Sequence, residues 1–283
     1  MDSSAPGKRN GFVIMAQHRS GSSFLHNLVK VHDEVHSINE PFSQHILSFR
    51  RNEIDRWTAG QVSDGRYHPT IQPGSIVHER LASLARWVQA GHETHGFKET
   101  LLFRKLDWLD AVVRPRAYVY LVRDPRATIA SLLKLGDVNA WWSYAAFADR
   151  FIEAELAPLP SGYTGSLLEK TALVWNVRAQ WLADAATEGR WIIVRLEDIM
   201  SSPDREGERI MTHLGRVWTP RQAKWVRSTW SSGLEQRRDD AFSYARSQGE
   251  VVNGWKKAFD RRQVSFIEQL CGPLMQRLGY PIS

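Results

Sequence analysis

The residues of this chain with the most chemistry in them stand in one short turn, Gln17-His18-Arg19-Ser20-Gly21-Ser22-Ser23. It holds a permanent cation, three hydroxyls and a glycine, and it joins the apolar run Phe12–Ala16 to a segment of helical spacing carrying Phe24, Leu25, Leu28 and Val29. A helix start has outward N–H groups and a partial positive charge, so a strand, a small-residue turn and a helix in this order make a cradle for an anion. Gly21 lets the backbone approach the anion, Ser20, Ser22 and Ser23 add donors, and Arg19 adds charge. The same residues would also suit an ordinary strand-to-helix turn with a serine cap. The turn differs from an ATP loop of the form G-x-x-x-x-G-K-[ST], because no Lys follows Gly21 and the cation precedes it by two positions.

A second grouping lies about a hundred residues on. In VRDPRATIAS, Arg123 ends the apolar run Ala117–Val122 and Ser131 follows eight residues later. A guanidinium can hold a phosphate with two parallel hydrogen bonds. Read alone, the segment is equally a helix start capped by Asp124, with Pro125 at the first helical position. For proton transfer the chain offers Glu40, just after the apolar segment Val35–Ile38, with Glu99 and His18 in reserve; Lys98 is a further cation.

The elements that must position these groups alternate. Strands are predicted over Phe12–Ala16, Val35–Ile38, Thr94–Lys98, Ala117–Val122 and Trp191–Leu196, with helices after the first, over Ser75–Ala90, from Pro125 to Gly136, over Leu168–Ala186, from Pro203 to Gly215 and over Gln263–Tyr280. This alternation predicts an α/β fold of three layers, a central parallel sheet of about five strands flanked by helices. Strand ends at one sheet edge would then gather Arg19, Glu40 and Arg123. Gln44–Gly74 reads as an irregular insertion with a helix near its start, residues 1–10 as a flexible N-terminus, and residues 11–283 as a single domain.

Composition narrows the class. With 42% hydrophobic and 24% charged residues the chain is globular by default. A net charge of +6 fits an enzyme that handles a polyanionic nucleotide and fits a nucleic-acid binder about as well. The single cysteine, Cys271, excludes an internal disulfide and a cysteine-based zinc site, and its apolar surroundings predict a buried, inert thiol. No apolar stretch has the length of a signal core or a membrane span, so a soluble, cytoplasmic protein is expected. Of the twelve tryptophans, Trp175 and Trp181 have core spacing, whereas Trp141 and Trp142 cluster with Tyr144 and Phe147.

The pattern Arg19-Ser20-Gly21-Ser22-Ser23-Phe24 resembles the 5′-phosphosulfate loop of sulfotransferases that use 3′-phosphoadenosine 5′-phosphosulfate (PAPS). The Arg123 to Ser131 spacing resembles that family's 3′-phosphate site, and Arg195-Leu196-Glu197-Asp198, Trp255-Lys256-Lys257 and the closing Leu278-Gly279-Tyr280 resemble further family segments. Asn39-Glu40-Pro41-Phe42 is similar to the E-P turn of carbohydrate sulfotransferases, and the triplet R-K-G and the histidine of the steroid and phenol branch are missing, so the resemblance is to the carbohydrate and bacterial types. It implies a P-loop NTPase-like sulfotransferase fold, PAPS as donor and 3′-phosphoadenosine 5′-phosphate (PAP) as product, and no metal. The donor would be held by Arg19 to Phe24, Arg123, Ser131, Trp255 and Lys256 or Lys257, with Glu40 as base and Lys98 assisting the sulfuryl oxygens. The aromatic cluster at Trp141 and Trp142 would cover a small-molecule or carbohydrate acceptor. No nucleic-acid or membrane partner is implied, and the chain would act as a monomer or homodimer. Two other classes fit the residues less well: an ATP-Mg-dependent kinase of a small metabolite and a non-catalytic nucleotide- or nucleic-acid-binding protein.

Overall fold

In the computed structural model the described residues are 9–41, 76–90, 94–100, 102–103, 106–135, 165–187, 189–232 and 248–283. The predicted insertion Gln44–Gly74 and the aromatic cluster from Trp141 to Phe147 lie outside them. Five strands, β1 (Asn10–Ala16), β2 (Val35–Asn39), β3 (Thr94–Glu99), β4 (Pro115–Val122) and β5 (Trp191–Arg195), pair in parallel in the order β2-β3-β1-β4-β5. From β1 the chain goes to the edge strand β2, returns to β3 beside β1 and then crosses to β4 and β5, which puts the order reversal beside β1, where ligands of open α/β sheets bind.

Period-two alternation sorts the side chains of the central strands to two faces. From β1, Val13 and Met15 join one core while Phe12, Ile14 and Ala16 join the other; β4 divides in the same way, with Tyr118 and Tyr120 against Val119 and Leu121. The first core is closed by α2 (Ile76–Gln89), α4 (Leu167–Ala185) and α9 (Arg261–Arg277), through residues such as Val88, Trp175 and Ile267. The second is closed by α1 (Ser22–Lys30), α5 (Leu196–Ser201), α6 (Pro203–His213) and α7 (Pro220–Ser232), through Leu25, Ile199, Ile210 and Val226. Three layers result, as the alternation of elements requires. α3 (Pro125–Leu133) starts at the C-terminal end of β4 and adds Ile129 to the first core, and the short α8 (Gln248–Asn253) is hydrogen-bonded to the turn after β4.

Several boundaries differ from the sequence expectation. β1 begins at Asn10, ahead of the apolar run, because Asn10 pairs with Pro115 and its N–H donates to Gln89 Oε1 at 3.2 Å. β5 stops at Arg195, and an additional short helix, α5, occupies Leu196–Ser201 ahead of α6, which starts at Pro203 as the sequence indicates. The helical segments Leu106–Trp108 and Leu109–Val113, the latter a π-helix, and α7 have too mixed a pattern to stand out in the sequence. Trp175 is buried in the core and Trp181 packs against it, as their spacing indicates. Burial of Cys271 pushes its thiol up to about 12, so it stays protonated and unreactive. Among the described residues no helix is long and apolar enough to cross a membrane.

Candidate active site

The turn after β1 is locked from within. Ser20 donates from Oγ to the Gln17 carbonyl at 2.6 Å, and the Gln17 side chain donates to the Trp175 carbonyl at 3.0 Å, pinning the turn to α4. Gly21 has φ 87°, and a Cβ there would sit 2.7 Å from Leu196 Cδ1, so both the backbone and the neighbouring side chain demand glycine. The first bond of α1 runs from Leu25 N to the Gly21 carbonyl at 3.1 Å, which leaves the Ser22 and Ser23 N–H groups facing out of the helix end. That end carries no side-chain cap and no acidic residue in its first turn, an arrangement suited to an external anion. Phe24 packs on Trp225 of α7 with ring centroids 5.2 Å apart.

Arg19 and Arg123 meet here. Arg19 Nε donates to Ser131 Oγ at 3.1 Å, while Arg123 donates from Nη1 to the Arg19 carbonyl at 2.9 Å and from Nη2 to the Val251 carbonyl at 2.5 Å. The turn after β1 and the turn after β4 are thus one hydrogen-bonded unit. Asp124 caps α3, accepting from Arg126 N at 2.8 Å, as the sequence suggests.

Arg126 is the member sequence reasoning missed. It is buried, forks onto Asp124, reaches Glu268 Oε1 at 2.6 Å and the Pro281 carbonyl at 3.0 Å, and lies 4.4 Å over the Trp255 ring. In the sequence it reads as a surface cation in the first turn of a helix, with nothing to mark its burial. Trp255 therefore joins the Arg123 turn through Arg126, whereas Lys256 and Lys257 are exposed on the 3-10 turn Gly254–Lys257. In the Arg195-Leu196-Glu197-Asp198 segment, Glu197 accepts from Asp124 N and from Tyr280 OH, both at 3.0 Å, and Arg195 forks onto Asp198. Burial pushes the Glu197 carboxyl above the usual carboxylate range, against the N–H bonds that it accepts.

On the other side of Arg19 is the carboxylate. Glu40 N donates to the Lys98 carbonyl at 2.8 Å, continuing the β2–β3 pairing by one residue, after which φ of 46° turns the chain away. Glu40 Oε1 accepts from Lys98 Nζ at 2.6 Å and from Thr100 Oγ at 2.9 Å; Lys98 is buried at 1% exposure. Burial alone would raise the Glu40 carboxyl, but the Lys98 ammonium, His18 and the two hydrogen bonds outweigh it and hold the group below the usual carboxylate range. An ionised carboxylate only accepts, so the single Thr100 hydroxyl proton goes to Glu40. His18 Nε2, 3.2 Å from Thr100 Oγ, must then be the protonated nitrogen of a neutral ring. Burial, reinforced by Arg178, Lys98 and Arg19 against the pull of Glu40, lowers His18 to about 4, consistent with that neutral form. Glu99 is fully buried and accepts from Thr100 N at 3.3 Å. Thr100 has no sequence signature.

Arg19 and Glu40 are two of the three non-glycine residues with positive φ among those described, at 65° and 46°. Such backbone costs about 1–2 kcal/mol per residue, and packing sustains it at the two turns that the Glu40–Thr100–His18 contacts join. Among the described residues no three His, Cys, Asp or Glu side chains converge as metal ligands would.

A parallel three-layer sheet bearing an anion cradle at its order reversal fits the family-level match: the chain belongs to the sulfotransferase family, whose model covers residues 11–220. In sequence it is similar to mouse carbohydrate sulfotransferase 3, 24% identical over 196 residues that cover 67% of this chain and 40% of that protein. It is also similar to human carbohydrate sulfotransferase 5, 26% identical over 221 residues covering 75% and 50%. The chain thus spans half or less of the length of these relatives. In fold it is similar to mouse sulfotransferase SULT7A1 complexed with PAP, at TM-score 0.58 and 15% identity over 95% of this chain and 85% of that one. The sulfotransferase domain from the curacin biosynthetic pathway gives TM-score 0.57 and 14% identity over 98% and 99%. At such identity the likeness is one of fold.

Proposed function

We propose that this protein transfers a sulfuryl group from PAPS to a hydroxyl, in preference to an amine, of a carbohydrate or small-molecule acceptor. The observation that carries the reading is the joined pair of anion arms: Arg19 on Ser131, and Arg123 on the Arg19 carbonyl. Two cationic sites braced on each other at adjacent strand ends suit a ligand with anionic groups at both ends, which is what a 3′,5′-bisphosphorylated adenosine is. The relative complexed with PAP supports that ligand, and the carbohydrate sulfotransferases among the sequence relatives support a carbohydrate acceptor. Residues 11–283 act as one unit in this reading, because α9 supplies Glu268 and the tail supplies Tyr280 to the same cluster.

In the reaction the acceptor oxygen attacks sulfur in line while the bond from sulfur to the 5′-phosphate oxygen breaks. Arg19 and the N–H groups at the start of α1 neutralise the charge that gathers on the leaving phosphate, and Lys98 steadies the sulfuryl oxygens. Glu40 takes the acceptor's proton. His18 is less suited, since its Nε2 already carries a proton directed at Thr100 and its other nitrogen is a weak base at a pKa of about 4; Glu99 is fully buried. The test is Glu40→Gln. It should abolish transfer and leave PAP binding intact, whereas unchanged turnover would move the proton acceptor to Glu99 or His18.

A further inference from the structure

Glu40 as held here is a poor base. Its Oε1 takes two hydrogen bonds, one from a buried ammonium at 2.6 Å, and a carboxylate so paired gives up little basicity to an incoming hydroxyl. While Lys98 stays on Oε1 the whole carboxylate remains a weak base, and opening that contact is what would restore its basicity. Lys98 cannot open into nothing: at 1% exposure an ammonium without a counter-charge is strongly disfavoured. The group able to receive it must be anionic and must arrive with the reaction. On the donor reading above, on which this inference rests, that group is the sulfonate.

We propose that Lys98 is shared in alternation between Glu40 and the donor's sulfonate, so that donor binding draws the ammonium away and leaves Glu40, held by Thr100, as a working base. The geometry supports the transfer. Lys98 and the β1 strand are in register, Ile14 opposite Lys98, so the lysine sits one strand from the cradle that begins at Gln17. Hydrogen bonds run from Glu40 through Thr100 to His18, whose neighbour Arg19 opens the anion arm. The groups facing this carboxylate are the Lys98 ammonium from β3 and the titratable His18 ring from the β1 turn, and His18 in turn faces Arg19 of the same turn and Arg178 of α4. Thr100 is a positioning residue: with the ammonium gone, its hydroxyl is the hydrogen bond that keeps the carboxylate aimed. Two consequences follow. The donor binds before a productive acceptor complex forms, and the base is silent toward other hydroxyls until a sulfuryl group is in place.

Competition for one ammonium leaves a thermodynamic mark that needs no acceptor. Breaking the Lys98–Glu40 pair consumes part of the donor's binding free energy, so Glu40→Gln should tighten PAPS binding by about threefold to tenfold while leaving PAP, which lacks the sulfonate, unchanged. Simple repulsion between Glu40 and the sulfonate would also tighten PAPS, and Lys98→Met separates the two. In a Lys98→Met background the competition is absent and Glu40→Gln should give no gain. Calorimetric titration of the four proteins with PAPS and with PAP reads the cycle. An equal gain with and without Lys98, or no gain in either, overturns the proposal while leaving the donor reading standing. Failure of PAPS to bind the unaltered protein removes the donor reading itself. A crystal structure with PAPS supplies the second check: Lys98 Nζ should lie on a sulfonate oxygen and beyond about 4 Å from Glu40, the limit of an ion pair, with the Thr100 bond kept. Lys98 still paired with Glu40 beside a bound sulfonate would refute it.

Discussion

Arg123 donates from Nη1 to the backbone carbonyl of Arg19 at 2.9 Å, so the guanidinium of one anion arm is braced on the main chain of the other. The bond fixes the separation of two cationic side chains whose elements are about a hundred residues apart in sequence but follow neighbouring strands, β1 and β4. A second brace, Arg19 Nε on Ser131 Oγ at 3.1 Å, returns from the first turn to α3. On the proposed function, the spacing needed for a ligand with two anionic ends would be set by the pairing of the turns, ahead of any contact with the ligand. Four measurable outcomes follow from this network and its surroundings.

Removing the charge of the first arm should act on the transition state. Arg19→Ala should lower turnover by about a hundredfold or more, in line with loss of a preorganised oxyanion contact, and should weaken PAP binding by a smaller factor. Steady-state kinetics beside a PAP titration separates the two effects, and a near-normal rate would take Arg19 out of the mechanism.

Gly21→Ala meets two obstacles at once, a φ of 87° and a methyl 2.7 Å from Leu196. The substitution should cost about 1–3 kcal/mol in urea unfolding, by strain and overpacking, and should displace the cradle enough to weaken PAP binding as well. Retention of both stability and PAP affinity would show that the turn tolerates a side chain.

Arg126→Met should be the more damaging structural change. It strands Asp124 and Glu268, two buried carboxylates that now share one guanidinium, and breaking such a set by removing one partner costs about 3–5 kcal/mol. Because Arg126 also carries Trp255 and the tail at Pro281, limited proteolysis should release the C-terminal residues early in the variant. A stable variant with a protected tail would contradict this role.

Acid should weaken the fold before ordinary carboxylates titrate. His18 and His26 are each lowered from 6.5 to about 4, chiefly by burial, with Arg178 and Lys98 the next contributors respectively. The unfolded chain then binds more protons than the folded one between these values, so the stability from the two neutral rings is fully present above about pH 6.5 and is lost as pH falls toward 4. Glu40, held below the usual carboxylate range, extends the loss to lower pH, while the raised Glu197 opposes it, its share being lost as pH rises through its folded value. The urea midpoint should fall between pH 7 and pH 5, and His26→Gln should flatten that dependence. A midpoint that holds or rises at pH 5 would be inconsistent with buried neutral histidines.

Much of this was legible in the chain. The runs at Phe12–Ala16 and Ala117–Val122 are apolar at every position because those strands lie in the middle of the sheet and are covered on both faces, and five strands alternating with helices leave few other arrangements. Arg19, Gly21 and Arg123 stood out because small residues and a cation at a strand-to-helix junction have a physical use there. Glu40 was placed at the same edge by the simple fact that it follows a parallel strand. What sequence reasoning could not reach were partners made only by folding. Thr100 is an unremarkable hydroxyl until Glu40 and His18 flank it, and Arg126 reads as a surface cation until Asp124, Glu268 and Trp255 enclose it. α7 was missed because its pattern is crowded with Arg, Lys, Ser and Thr, and its inward face shows only in the fold, through buried Val226 and the contact of Trp225 with Phe24.

The most direct test of the central claim is a calorimetric titration of the unaltered protein with PAP and, in parallel, with ATP and Mg²⁺. PAP should bind once per chain and bind far more tightly than ATP with Mg²⁺, and Arg123→Ala should remove most of that preference because the 3′-phosphate then has no guanidinium to hold it. Tighter binding of ATP with Mg²⁺ than of PAP would contradict the assignment of the two braced arginines to the ends of a bisphosphorylated nucleotide.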